Sequence, residues 1–368
     1  MLTTLDRYIL RGLIVNYLIA IGVMISLYIV LDMFINLDEF TENATATHSV
    51  LPDIISYYGN RVFQYFAQLS GVITLFACML TLSRMRRINE MTAILAGGIS
   101  LYRVAATVLG FGLATTTMWY IDSEYIIPSI AHKLARDHDD AQGTKTFKIR
   151  FLLDSDGSLM SAHRYDPQTE ELHRLLILKR DANGRLNNII QADRATWFPD
   201  KPGSQHGVWK LERGFEIARP TESEAAFDPG DDIRRHIIDQ VASDLSPQAI
   251  EMRQSAGWIN FLSSSRLDEL GERLDPASQG RIRHAKHVRF TTPIVNLLML
   301  VLGLPFVLTR VPANVLGSVL KLLLVCGSCF LFTFISQTFG KNGTPLPAWM
   351  PIMVFTPIAV ILLDRLKS

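Results

Sequence analysis

The sequence of 368 residues balances 36 Lys and Arg against 35 Asp and Glu, for a net charge of +1, and is 48% hydrophobic. That balance argues against nucleic acid as a partner. The three cysteines, Cys78, Cys326 and Cys329, all lie in apolar stretches, so no disulfide framework is available to the polar middle of the chain. A mean hydropathy of +0.20 hides a segregation. Stretches almost free of charge precede about Pro128 and follow about Thr291, whereas a soluble protein spreads its apolar residues at helix or strand period.

In chain order, six apolar runs approach the ~20 residues that a helix needs to cross the hydrocarbon: Leu13–Ile35, Ile55–Leu82, Leu101–Tyr120, Pro293–Leu308, Val315–Thr338 and Met350–Leu363. The first is too long for a signal-peptide core and ends without a small-residue cleavage site, so it is expected to stay attached as a signal anchor. The second carries Arg61, Gln64 and Gln68 in its first half, and the fourth is short. Arg7 and Arg11 precede the first run, and Arg84, Arg86, Arg87 and Arg103 lie between the second and third. Arg310 follows the fourth, and Arg365 and Lys367 end the chain. All of these fall on one side if the runs alternate. The first loop instead has Asp38, Glu39 and Glu42 and no Lys or Arg. The positive-inside rule then predicts cytoplasmic termini and a polar middle on the far side.

That middle, about Ala131 to Gly280, alternates short runs with turn signals. The runs are Lys148–Leu153, Ser158–Tyr165, Leu172–Lys179, Leu186–Ala192, Gly207–Leu211, Phe215–Ala218 and His236–Val241. Asp154-Ser-Asp-Gly157, Asp181-Ala-Asn-Gly184 and Pro199-Asp-Lys-Pro-Gly203 punctuate them. Strands of that length with little helical period predict a sandwich or jelly-roll of ~100 residues. From Ser246 to about Leu274 the pattern turns helical and leads back to the membrane. The predicted fold is membrane α-helical with six transmembrane helices, three on either side of an inserted periplasmic β-jelly-roll domain. Its expected divisions are 1–128, 131–280 and 281–368.

The stretch Ser83–Ser100 predicts a short helix at about 86–97, between the second and third spans. Asn89 can cap it, Glu90 in its first turn complements the helix dipole, and Gly97 with Gly98 can stop it. Ser100 can cap the third span. Read as residues alone, this is either a connector lying on the membrane face or a coupling helix that docks into a soluble partner.

The segment Asn89-Glu90-Met-Thr-Ala-Ile-Leu-Ala-Gly97-Gly98-Ile-Ser100 resembles the coupling-helix motif of the LptF/LptG (YjgP/YjgQ) family of lipopolysaccharide export permeases. Leu5-Asp-Arg-Tyr-Ile9, Pro293 through Leu302-Gly-Leu-Pro305, and Gly343-Thr-Pro-Leu-Pro-Ala-Trp349-Met-Pro351 are also similar to that family, and in its order. The N-terminal and coupling-helix motifs look closer to LptG than to LptF. The resemblance implies an inner-membrane subunit of a Gram-negative cell, paired with a paralogous LptF-like permease. Each permease would dock its coupling helix on one copy of a cytoplasmic LptB-like ATPase dimer. Lipopolysaccharide would enter between the permeases, pass onto the β-jelly-rolls and leave on a periplasmic LptC/LptA-like bridge. Arg86, Arg87, Glu90, Ala93 and Gly97 are the implied ATPase-coupling residues, with Glu90 matching the family's coupling-helix glutamate. The chain departs from the family at Asp32, Asp38, Glu39 and Glu42, where members often place bases, and at Leu69-Ser70-Gly71, where a proline is expected.

A lipid conduit is apolar with a few cations for phosphates, which makes Arg61, Gln64 and Lys321 the substrate-cavity candidates. A charge at depth costs ~2.5–3.5 kcal/mol on insertion scales and tends to face a cavity, although Arg61 and Lys321 can also snorkel to an interface. Cys326-Gly-Ser-Cys329 has redox or metal-ligand spacing but no second ligand pair, and reads as close helix packing. His284 and His287 flank Lys286 without further ligands. Gly340-Lys-Asn-Gly343 lacks phosphate-loop spacing, so ATP hydrolysis falls to a partner. No catalytic residues, metal or cofactor are expected. The alternative function is a membrane-anchored assembly or signalling protein with a ligand-binding periplasmic β-domain; an intramembrane enzyme is a distant third.

Overall fold

The computed structural model describes residues 3–36, 50–135, 146–154, 156–180, 185–200, 207–218, 235–255, 257–271, 276–308, 315–340 and 344–364. The acidic loop residues Asp38, Glu39 and Glu42, and the basic Arg310, Arg365 and Lys367, lie outside them. Among the described residues, six helices are long and apolar enough to cross a membrane. They are α1 (Thr4–Ile35), α2 (Val50–Arg87), α4 (Leu101–Ile121), α8 (Pro276–Val307), α9 (Val315–Phe339) and α10 (Leu346–Asp364). The short α3 (Glu90–Ala96) lies between α2 and α4, and α4 runs on through a π-helical turn, Asp122–Ile126, to Ser129. Between the third and fourth long helices come α5 (Ala131–Leu134), eight strands, α6 (Pro247–Gln254), a 3-10 turn at Trp258–Phe261 and α7 (Ser264–Gly271). The expected three-plus-three order therefore holds.

The fourth span is the one whose start departs furthest from the expected bound. It starts at Pro276, 17 residues before the expected Pro293. Arg281, Arg283, His284, Lys286, His287 and Arg289 fill its first half and mask it from a hydropathy reading. At 1.5 Å per residue its 32 residues extend roughly 48 Å, well beyond the hydrocarbon thickness. His284 places Nε2 3.2 Å from the Gln337 carbonyl, and its ring fills the space where Gly340 lacks a side chain. Trp349 Nε1 donates to His287 Nδ1 at 3.2 Å, and the Ser336 hydroxyl donates to the Pro347 carbonyl at 2.5 Å. Pro347 and Trp349 thus tie the start of α10 to α9 and α8.

The helical unit packs around residues from all six long helices, among them Leu13 of α1, Ile73 and Leu82 of α2, Val108 of α4, Leu302 of α8, Cys326 and Cys329 of α9, and Phe355 of α10. Small and hydroxyl residues set the closest approaches, as expected where lipid removes the hydrophobic drive between helices. Any side chain at Gly71 would strike Asn296, and any at Gly112 would strike Leu300. Asn296 Nδ2 donates to the Ser70 hydroxyl at 3.1 Å, and Thr74 to Thr115 at 3.1 Å. The Ser70-Gly71 step, where the resemblance anticipates a proline, is therefore a close contact of α2 with α8. Cys326 donates to the Met299 carbonyl at 3.5 Å, which places the Cys-Gly-Ser-Cys segment against α8.

The other unit, Ser129–Pro276, contains the strands: β1 (Phe147–Leu153), β2 (Leu159–Asp166), β3 (Glu171–Arg180), β4 (Leu186–Pro199), β5 (Gly207–Glu212), β6 (Phe215–Ala218), β7 (Arg235–Ile237) and β8 (Gln240–Ser243). All pair antiparallel, in the order β1-β2-β3-β4-β5-β8, with β6 on β4 and β7 on β6. The buried residues alternate until one level, where the alternation slips. Ala162, Leu175 and Ala192 are buried and mutually aligned, as are Tyr165, Leu172 and Ala195, and two residues separate the levels in each strand. At that same level the free edge of β4 changes partner, from β6 along Asn188–Gln191 to β5 along Arg194–Pro199. The slip re-aims the buried face of all three strands at one level, and the sheet bends there.

The expected seventh strand, His236–Val241, divides at the same fold. Its first half is β7, beside β6, and its second half is β8, beside β5. Trp209 is fully buried and donates to the Leu245 carbonyl at 3.1 Å. Asp154, in the β1–β2 turn, accepts from the Ser243 hydroxyl at 2.5 Å and the Asp244 amide at 3.2 Å. Arg253 of α6 donates to the Leu153 carbonyl and stacks 5.2 Å from the Trp258 ring centre.

Candidate functional site

The connection between α2 and α4 is built from backbone signals. Arg84, Arg86 and Arg87 end α2, where cations complement the carbonyl end of the helix dipole. Asn89 then takes a left-handed conformation (φ 60°, ψ 12°) that turns the chain into α3. This corrects the expected mechanism of capping. Neither Asn89 nor Ser100 makes a side-chain cap bond; Asn89 contributes its tolerance of positive φ. Gly97 and Gly98 close α3, with Gly98 at φ +77°, its amide on the Leu95 carbonyl at 3.0 Å and the Ile99 amide on Ile94 at 3.2 Å.

Over its two turns α3 has two unlike faces. Met91 is buried in the helical core, and Ile94 and Leu95 pack against that core. Thr92, Ala93, Ala96 and Gly97 are exposed, continuous with exposed Arg87, Ile88 and Asn89. Of the implied coupling residues, Arg87, Ala93 and Gly97 thus face outward. Arg86 does not: it is half-buried, with Nη1 3.4 Å from the Val307 carbonyl at the end of α8. Glu90 also turns inward. Tyr8 of α1 donates its hydroxyl to Glu90 Oε1 at 2.7 Å, and Glu90 Oε2 is buried.

The first turn of α1 is tied to the same region. Asp6 accepts from the Thr3 amide and hydroxyl, each at 2.8 Å, and from Thr107 of α4 at 3.1 Å. Arg103 of α4 donates to the Thr3 hydroxyl at 2.9 Å and lies 3.9 Å from Asp6. The motif Leu5-Asp-Arg-Tyr-Ile9 and the coupling-helix motif, 82 residues apart at Tyr8 and Glu90, are therefore one site. No local pattern could reveal this, because the contact is made by helix packing alone.

The substrate-cavity candidates are not gathered in one place. Arg61 is half-buried on α2, in the turn between Tyr58 and Tyr65. Asp32 of α1 joins the same cluster, accepting from Tyr58 at 2.9 Å and Tyr65 at 3.2 Å. Gln64 lies one turn from Arg61 and is half-buried, whereas Lys321 is exposed on α9, in its second turn. Sequence reasoning missed a second charged contact: Arg289 of α8 reaches Glu124, in the π-helical turn after α4, at 3.1 Å.

The chain matches the family model described as "Lipopolysaccharide export system permease LptF/LptG" over residues 7–365. The protein belongs to this family. No individual curated protein gives a significant match. The family groups LptF with LptG, so the match does not divide the two. With six membrane-crossing helices, this LptF/LptG member is a multi-pass inner-membrane protein, and its family comprises permease subunits rather than enzymes.

Proposed function

We propose that this LptF/LptG member is one permease subunit of an ATP-driven exporter of lipopolysaccharide or a related glycolipid, with α3 as the helix that receives force from a cytoplasmic ATPase dimer. The observation that carries this reading is the exposed face of α3. Ala93, Ala96 and Gly97 leave it flat enough for a groove, exposed Ile88 offers an apolar contact, and Arg84 and Arg87 flank it with positive charge. A helix laid into a groove with small central residues and a basic rim suits a partner with an acidic margin. The basic span ends support a cytoplasmic position for this face by the positive-inside rule. The termini then share that side, and the β-unit is periplasmic. A paralogous permease subunit completes the lipid path, and an LptC/LptA-like bridge accepts the lipid from the β-unit. Arg61 is the cation we assign to lipid phosphate, while exposed Lys321 faces the lipid or the second permease.

Ala93→Arg places a long charged side chain at the centre of the docking face. Expressed with the other subunits, the wild-type chain should bring down a cytoplasmic ATPase in fixed ratio, and Ala93→Arg should lose most of it while inserting normally. Undiminished ATPase recovery and lipid-stimulated hydrolysis with Ala93→Arg would overturn the docking role of α3.

A further inference from the structure

Glu90 is the one acidic side chain on α3, and its carboxylate turns toward α1. One carboxylate oxygen takes the Tyr8 hydroxyl at 2.7 Å, the short distance typical of a hydroxyl on a charged oxygen. The other oxygen is buried and has no hydrogen-bond partner among the described residues. The outward surface of α3 is made by Thr92, Ala93 and Ala96 instead.

We infer that Tyr8 is the positioning residue of the coupling helix, and that Glu90 acts through Tyr8 rather than by touching the ATPase itself. This rests on the coupling role proposed above for α3. Without the Tyr8–Glu90 bond, Met91, Ile94 and Leu95 hold α3 by apolar packing, which is non-directional and lets a two-turn helix slide or roll. A hydroxyl–carboxylate bond is directional and fixes both the roll of α3 and its distance from α1. Tyr8 is in turn held by a braced helix start, since Asp6 is bonded to Thr3 and Thr107, and Arg103 to Thr3. A tilt of the first span then carries α3 with it, and a push on α3 is delivered to the first span.

The test uses the full chain co-expressed with its ATPase and second permease subunit, purified in nanodiscs containing lipopolysaccharide. Tyr8→Phe removes only the hydroxyl. It should leave the recovered ATPase ratio unchanged and lower lipid-stimulated hydrolysis per assembled complex by about three- to tenfold, the range for loss of one ordinary hydrogen bond. Glu90→Ala should fall by a similar factor, and Tyr8→Phe with Glu90→Ala should fall no further, because two residues acting through one bond are non-additive. Glu90→Gln keeps an acceptor oxygen for Tyr8 and should stay within about twofold of wild type.

Wild-type stimulation in Tyr8→Phe, multiplying losses in the double variant, or collapse of Glu90→Gln to the level of Glu90→Ala would each overturn the inference. The last result would mean that Glu90 meets a cation on the ATPase. Ala93→Arg separates the two readings. If it blocks docking while Tyr8→Phe is silent, only the positioning role fails. If the wild-type chain brings down no ATPase, the coupling reading fails and this inference with it.

Discussion

Tyr165 is fully buried where the sheet turns its corner, against the ring of Phe147 at 5.2 Å. Burial raises its pKa above the ordinary 10.0, and the negative charge of Glu251 adds to the shift. The sign follows from linkage. Below pH 10 the hydroxyl is neutral in both folded and unfolded chains, and the stabilisation is fully present. As pH rises past 10 the unfolded chain ionises first, and stability drains away at up to about 1.4 kcal/mol per pH unit. The unfolding midpoint of the β-unit, followed by Trp fluorescence of the purified protein, should therefore fall above about pH 10, and fall less steeply in Tyr165→Phe. Equal alkaline slopes would show that Tyr165 does not carry the effect. Residue identity was legible at such positions, but residue direction was not. Arg86 and Arg87 are adjacent and alike in sequence, yet one faces α8 and the other solvent. The resemblance assigned Glu90 to an ATPase, and the packing gave its carboxylate to Tyr8.

Arg289 and Glu124 belong to the scale of elements, because their 3.1 Å contact fastens the π-helical turn after α4 to the early part of α8. The two side chains are only 13% and 14% exposed, so each loses much of its hydration and depends on its partner. Arg289→Leu removes the cation beside a largely buried carboxylate and should cost about 3–5 kcal/mol, whereas Arg289→Leu combined with Glu124→Leu should recover a large part of that loss. Thermal denaturation in detergent measures both, and a double variant weaker than either single one would show that the pair is not the tie. Element order and type were mostly readable: the long helices from charge-free runs, and the strands from alternation bounded by Asp-Gly and Asn-Gly turns. Two boundaries were not. Polar residues in the first half of α8 broke the hydropathy signal although the helix is continuous, because Glu124, Gln337 and Trp349 give those polar groups partners. The run His236–Val241 has only the lone Asp239, with no Gly, Pro or Asn beside it, to mark its division at Ile238-Asp239. Its halves part because β6 and β5, which follow one another along the same edge of β4, each draw one half.

For the whole molecule, orientation is the property on which the proposed export depends. Ile88, beside α3, is 49% exposed, and Ile237, in β7, is 86% exposed, while the native Cys78, Cys326 and Cys329 are buried. With a membrane-impermeant maleimide, Ile237→Cys should react in cells whose outer membrane alone is opened, and Ile88→Cys only after the inner membrane is broken. The opposite pattern would invert the topology and remove α3 from reach of a cytoplasmic ATPase. The sequence by itself determined the number of spans, their three-plus-three grouping, the β-character of the insertion and the family. Each of these is written in local composition, in hydropathy over a window or in a contiguous motif. Only the tertiary structure decided that the sheet folds at a level shared by β2, β3 and β4, that Ser70 and Gly71 seat α2 on α8, and that Tyr8 holds Glu90. Those are contacts between residues distant in the chain, fixed by which helix and strand faces pack together, and no local pattern encodes them.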